Sequence, residues 1–232
     1  MIWIVTATTW EARPLAERLG FSEDEKTGFR GRLGGHDAFL LEMGMGPERA
    51  RGTLDQALAA LGTPEWIVHT GFASAAQPGI PSGTLVFDVW GESTEVRDLA
   101  KQVAAETGLP YQLGPIRSPE RLLSTPAEKA AFGREKRALA VDMESETVRD
   151  WARAHALPHF AAKVILDALD AAPPKDTPAG AGAPPGAAYL VEHWRDLPSL
   201  VGRWRQQRRS IRTLADFLKV FAPRLPAAAP RP

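Results

Sequence analysis

A three-layer α/β/α sandwich around a mixed, mostly parallel central sheet is the fold class this sequence predicts, and three observations carry the prediction. Apolar runs of strand length alternate with segments of helical period along most of the chain. Several of those runs, such as "IWIVTA", "EWIVHT" and "FAAKVILD", are apolar on both faces, as strands covered by helices on either side must be. Finally, 232 residues with 44% apolar content suffice for one core of ordinary α/β size. A single domain over residues 1–226 follows, with the chain expected to fray after Pro223 and residues 227–232 forming a tail.

"IWIVTA" opens the sheet and is followed by a helix from Glu11 to Leu19. "GFRGRLGGHDAFLLEM" predicts a hairpin turning at Gly34 and Gly35. In "GPERARGTLDQALAAL", Ala50, Leu54, Ala57, Leu58 and Leu61 fall on one helical stripe. "EWIVHT", "GTLVFDVW", "ALAVDM" and "FAAKVILD" supply further strands, and helices are expected near Glu95–Thr107 and Thr125–Phe132. The second begins with an N-cap Thr125, a first-turn Pro126 and a capping-box Glu128. Residues 171–188, "AAPPKDTPAGAGAPPGAA", are too rich in proline and glycine for a regular element, and read equally as a lid or a surface connection. A last helix carries Trp204, Ile211, Leu214, Leu218 and Phe221 on one stripe, with Arg205, Arg208, Arg209 and Arg212 as its solvated face.

Composition narrows the function. Lysine plus arginine equal aspartate plus glutamate at 28 each, so no net field favours nucleic acid or an anionic membrane. The chain has no cysteine, which excludes disulfides, thiolate nucleophiles and cysteine-ligated zinc. The five histidines show no metal spacing. The first residues show no basic segment ahead of a signal-length apolar run, and a cytoplasmic protein is expected.

The chemistry-bearing residues gather where ligands of such sheets sit, beyond the carboxyl ends of the strands. Asp167 ends "AAKVILD", where burial would raise its pKa and equip it to donate a proton; it serves equally well as an N-cap. Glu144 follows "AVDM" and could accept two vicinal hydroxyls, or act as a first-turn acid, as Asp142 and Glu146 also could. Glu11 could orient a water molecule or lie exposed on its helix. "GMGPERA" could cradle an anion at a helix start, although Arg49 stands where a dinucleotide fingerprint needs its third glycine. "HTGFASAAQPG" reads as a small-residue turn that admits a ligand, or as close strand–helix packing.

Together, "ATTWEA", "GMGPERA", "HTGFASAAQPGIPSGTLV", "AVDMES" and "KVILDALD" resemble, in order, the motifs of the purine nucleoside phosphorylase and nucleosidase superfamily. The likeness is to methylthioadenosine/S-adenosylhomocysteine nucleosidases and hopanoid-associated nucleoside phosphorylases, and it covers at least residues 1–170. It implies the phosphorylase/hydrolase-like fold, a homo-oligomer of two or more copies, no metal or organic cofactor, and a small-molecule nucleoside of adenosyl type as the partner. It further implies Asp167 as the acid to the base and Glu11 as activator of water. Glu144 and Met143 would hold the sugar, with Phe72, Ala73, Arg121 and Leu122 completing the substrate site. Leu166 stands where the family has serine, Ser74 where it has glycine, and Arg121 where it stacks a phenylalanine. Phosphate as co-substrate would need an anion site from Gly46, Arg49, Arg13 and His69. Hydrolysis is slightly favoured over phosphorolysis; a non-catalytic nucleoside-binding module and a dinucleotide-dependent oxidoreductase are the rivals from other classes.

Overall fold

The computed structural model describes residues 1–24, 28–89, 94–170 and 197–226. The segment 171–188 therefore lies outside the described residues, as does the tail 227–232. Among the described residues ten strands form one sheet: β1 (Ile2–Thr6), β2 (Ser22–Asp24), β3 (Gly28–Leu33), β4 (His36–Glu42), β5 (Trp66–Ala75), β6 (Leu85–Phe87), β7 (Tyr111–Leu113), β8 (Ile116–Arg117), β9 (Ala140–Val141) and β10 (His159–Asp167). The helices are α1 (Thr9–Leu19), α2 (Pro47–Leu61), α3 (Thr94–Glu106), α4 (Pro126–Lys136), α5 (Ser145–Ala154) and α6 (Leu197–Phe221). The main path runs β2-β3-β4-β1-β5-β10-β6-β7. Its centre, β4-β1-β5-β10, is parallel, while β2-β3, β3-β4 and β10-β6 are antiparallel, so the mixed sheet of the sequence prediction is present.

Strand alternation places two cores on opposite faces. Ile2 and Ile4 of β1 pack with residues of α1, α3 and α6, whereas Trp3 and Val5 pack with α2 and α5. These two covers and the sheet are the three layers. The capping box of α4 forms as expected: Thr125 Oγ accepts from the Glu128 amide at 3.2 Å, and Glu128 accepts from the Thr125 amide at 3.1 Å.

Four expectations are corrected. "HTGFASA" is not a turn but the second half of β5, which runs on for ten residues. "ALAVDM" contributes only Ala140–Val141, which pairs antiparallel with β5 and parallel with β8. Trp204 is 52% exposed, under the Arg208 guanidinium at 4.5 Å, because α6 buries its stripe only from Ile211 onward. The chain past Pro223 is held: Leu225 is buried, and the Trp66 indole donates to the Pro226 carbonyl at 2.8 Å.

Where β1 ends, β9 takes its place beside β5, because β1 pairs with β5 only as far as His69 and β9 pairs at Ser74 and Ala75. Helix α4 locks this end. A Cβ on Gly133 would lie 2.1 Å from the Ala76 carbonyl oxygen, so the helix backbone rests directly on the residue that follows β5. Lys129, one turn earlier, reaches Ser74 with its ammonium at 3.1 Å from Oγ. The match is geometric: four helical residues rise about 6 Å, and two strand residues span about 6.7 Å. Gly133→Ala is expected to lower stability by about 1–3 kcal/mol, read as a lower urea midpoint at unchanged slope. Gly52→Ala in α2, where an added methyl meets nothing within 4 Å, should instead raise it by up to about 1 kcal/mol.

Candidate active site

The far end of β5 collects the acids. Asp167, the half-buried last residue of β10, is the register partner of Ser74 across a bulge that displaces Leu166. On its other side Ser74 pairs with Val141, immediately before Asp142. One strand thus separates Asp167 from the 142–144 segment, a span of about 10 Å at the usual strand spacing. That is the scale of a nucleoside. The bulge carbonyl of Leu166 accepts from Ser82 Oγ at 2.9 Å and from Gln206, so neighbouring side chains hold the strand end where the family pattern has serine.

Glu11 enters from α1 and is 4% exposed. Its Oε2 accepts from the amides of Ala7 and Thr8, at 3.1 and 2.9 Å, and from Thr8 Oγ at 3.0 Å. Its Oε1 accepts from the Phe72 amide at 2.6 Å. Only glycine permits this approach, since a Cβ on Gly71, whose φ is +124°, would lie 2.4 Å from Oε1. The small residues of "HTGF" therefore serve a carboxylate of the chain itself.

Glu144 is 3% exposed and caps α5 with its backbone, while its Oε1 accepts from the Gly46 amide at 2.9 Å. The anion cradle expected at "GMGPERA" thus has an anion, and it is Glu144. Burial raises the Glu144 pKa to about 7, with the nearby Asp142 charge, and more weakly Glu11, adding to the effect against Lys163 and the Gly46 amide. Asp142 behaves oppositely. Burial works to raise it, but the Lys163 ammonium at 2.9 Å and the Ser145 hydroxyl at 2.6 Å hold it down to about 2.

The remaining candidates differ in burial and in partners. Met143 and Phe72 are half-buried at this end, but Ala73 lies in the apolar core beside Ile165. Arg121 is exposed and paired with Glu128 at 2.7 Å, and Leu122 is 63% exposed. Arg13 pairs with Glu23 at 2.8 Å, Arg49 is exposed, and His69 is fully buried against Lys163 and Ser145. Of the anion group, Gly46 donates its amide to Glu144, Arg49 lies beside Gly44 in the same turn, Arg13 is paired at the surface, and His69 is enclosed. Glu146 turns to Arg117 at 2.9 Å. Sequence reasoning missed Lys163 and Lys129, although a lysine inside a strand apolar on both faces is itself a demand for a buried partner. Among the described residues no three His, Asp or Glu side chains converge to hold a metal, and no helix is long and apolar enough to cross a membrane.

Residues 1–87 match the sequence model of the phosphorylase superfamily, and the fold is that of solved nucleosidases, which bears out the likeness read from the motifs. The chain is similar to the 5'-methylthioadenosine/S-adenosylhomocysteine nucleosidase of Campylobacter jejuni at 18% identity and a TM-score of 0.74, covering 97% of this chain and 99% of that one. A Helicobacter pylori nucleosidase variant with 5'-methylthioadenosine in its active site gives 18% and 0.71, over 97% and 98% of the two chains. The futalosine hydrolase of H. pylori gives 18% and 0.73, over 97% of each. Among curated proteins none matches the chain.

The two perturbed acids make stability depend on pH with opposite signs. Asp142, depressed, contributes stability above the usual aspartate pKa that is lost as pH falls toward 2. Glu144, raised, favours the folded state below the usual glutamate pKa, and that advantage is lost as pH rises from about 4.5 through about 7. Glu144→Gln should accordingly gain stability relative to the parent between pH 5 and pH 8, by an amount on the order of 3 kcal/mol at most, in paired urea titrations.

Proposed function

We propose that this protein hydrolyses the N-glycosidic bond of a purine nucleoside, most simply an adenosyl compound. Asp167 protonates the departing base, Glu144 holds the two ribose hydroxyls with Met143 against the sugar, and Glu11 orients the attacking water through Oε1. The C1'–N bond breaks as a C1'–O bond forms, and the proton shed by water balances the one given to the base. The observation that carries this reading is the placement of Asp167 and the 142–144 segment on either side of Ser74, with Glu11 tied to Phe72 two residues back.

Water is favoured as the nucleophile over phosphate. Of the side chains named for a phosphate site, Arg13 is paired with Glu23 and His69 accepts from Lys163, whose other two donors go to the Thr70 carbonyl and Asp142, so neither His69 nor that buried ammonium is open to an anion. Two buried carboxylates, Glu11 and Glu144, at the same strand end would also repel a dianion. The scheme uses no metal or organic cofactor. The resemblance further supports a homo-oligomer acting on a small molecule, and the balanced charge supports a cytoplasmic protein without nucleic acid or membrane as partner.

A nucleoside panel, with and without phosphate and with free bases separated by chromatography, tests the reading. Purine release at equal rates in both arms is expected; release only with phosphate would make the protein a phosphorylase. Asp167→Asn is expected to lower turnover by about 10²-fold or more while nucleoside binding persists. Unchanged turnover in that variant would remove Asp167 as the acid.

A further inference from the structure

Four buried side chains with no part in the scheme close into a ring beneath the acids. Lys163 Nζ lies 2.8 Å from His69 Nε2, His69 Nδ1 lies 3.3 Å from Ser145 Oγ, Ser145 Oγ lies 2.6 Å from Asp142 Oδ2, and that oxygen lies 2.9 Å from Lys163 Nζ. His69, Ser145 and Lys163 are fully buried. An ammonium only donates, so His69 must accept at Nε2 and carry its proton on Nδ1. That proton goes to Ser145 Oγ, whose own hydroxyl proton then goes to Asp142. Burial, and then the Lys163 charge, keep the His69 pKa well below its ordinary value, which preserves the neutral form this direction requires.

The ring is tied to three elements. The third donor of Lys163 reaches the Thr70 carbonyl on β5 at 3.1 Å, Lys163 itself belongs to β10, and Asp142 Oδ1 receives the Ser145 and Glu144 amides at 3.0 and 3.4 Å. Glu144 therefore hangs from the ring by its own backbone. An apolar set of similar volume would hold the elements together as well, or better, for stability alone. What a fully satisfied polar ring adds is one geometry.

We propose that Lys163 and His69 are positioning residues for recognition of the ribose diol: the ring they close with Ser145 and Asp142 fixes where the Glu144 carboxylate stands. This inference rests on the glycosidic reading above and names which of its contacts the ring serves.

The test compares kcat/KM for a purine ribonucleoside and its 2'-deoxy counterpart in the parent protein, Lys163→Met, His69→Leu and His69→Gln. The glutamine side chain offers both an acceptor oxygen and a donor NH₂ group, and so can serve both neighbours as the neutral imidazole does, whereas leucine offers neither. Lys163→Met and His69→Leu are expected to lower the ribo-over-deoxy preference about tenfold, while His69→Gln retains most of it. A merely structural ring would depress both substrates equally and leave the ratio unchanged, which would overturn the proposal. If Lys163→Met does not fold, the leucine and glutamine variants at position 69 decide alone. A parent protein that cleaves ribo- and deoxynucleosides equally refutes the diol role and this inference with it, but leaves glycosidic cleavage standing. Failure to bind or cleave either refutes the functional reading itself.

Discussion

The ion pair between Lys163 and Asp142, 2.9 Å long with side chains 1% and 4% exposed, is the contact on which the acid-bearing end of the sheet depends. Removing two charges from water is expensive, and their attraction repays it only when the remaining donors and acceptors are met as well. Here they are. Thr70 and His69 take the other two protons of the ammonium, and Ser118, Glu144 and Ser145 supply donors to Asp142 Oδ1. Because one partner sits in the middle of β10 and the other in the turn after β9, the pair fixes two segments that no ladder joins directly. Asp167 lies four residues beyond Lys163 and Glu144 two beyond Asp142, so the same contact sets the separation of the two acids.

The second constraint is the length of β5. Its first half pairs with β1 and its second with β9, so it projects past β1 and leaves room for Glu11 at the vacated edge. Glu11 can occupy that room only because Gly71 has no side chain. The strand end is in turn pinned by α4, whose Gly133 rests on Ala76 and whose Lys129 reaches Ser74. The serine that departs from the family's glycine thus has a partner of its own.

Much of this was legible in the sequence, and what was not has physical reasons. Period and cap chemistry placed β1, α1, α2, the start of α4 and the strand ending at Asp167, since each carries a repeated local signal. The second half of β5 was misread because "TGFASA" has the composition of a turn; its glycine answers to a carboxylate 60 residues away in sequence, which no local pattern encodes. Strands β7, β8 and β9, of two or three residues, are too short for alternation to register. The acids themselves were legible as a set. Their cations were not: the arginines that invited an anion site lie outside, while Lys163, hidden in an apolar run, lies beneath the acids.

Three carboxylates share one buried corner, and each is tolerated by different means. Asp142 is neutralised by a cation. Glu11 is held by four donors from its own helix start and from β5. Glu144 has one amide, from Gly46, and a pKa raised to about 7, so near neutrality it is divided between its charged and protonated forms. The first two are fixed in place, because moving either carboxylate breaks contacts that define the fold. Glu11 keeps a lone pair on Oε1, but Glu144, with a single donor, has the most unused acceptor capacity and a proton it exchanges cheaply. A pair of ribose hydroxyls would supply the donors it lacks, favouring the charged form and lowering its pKa on binding. The corner is therefore stable without ligand at the expense of one protonation equilibrium, and the same equilibrium is the one that a diol would draw to completion.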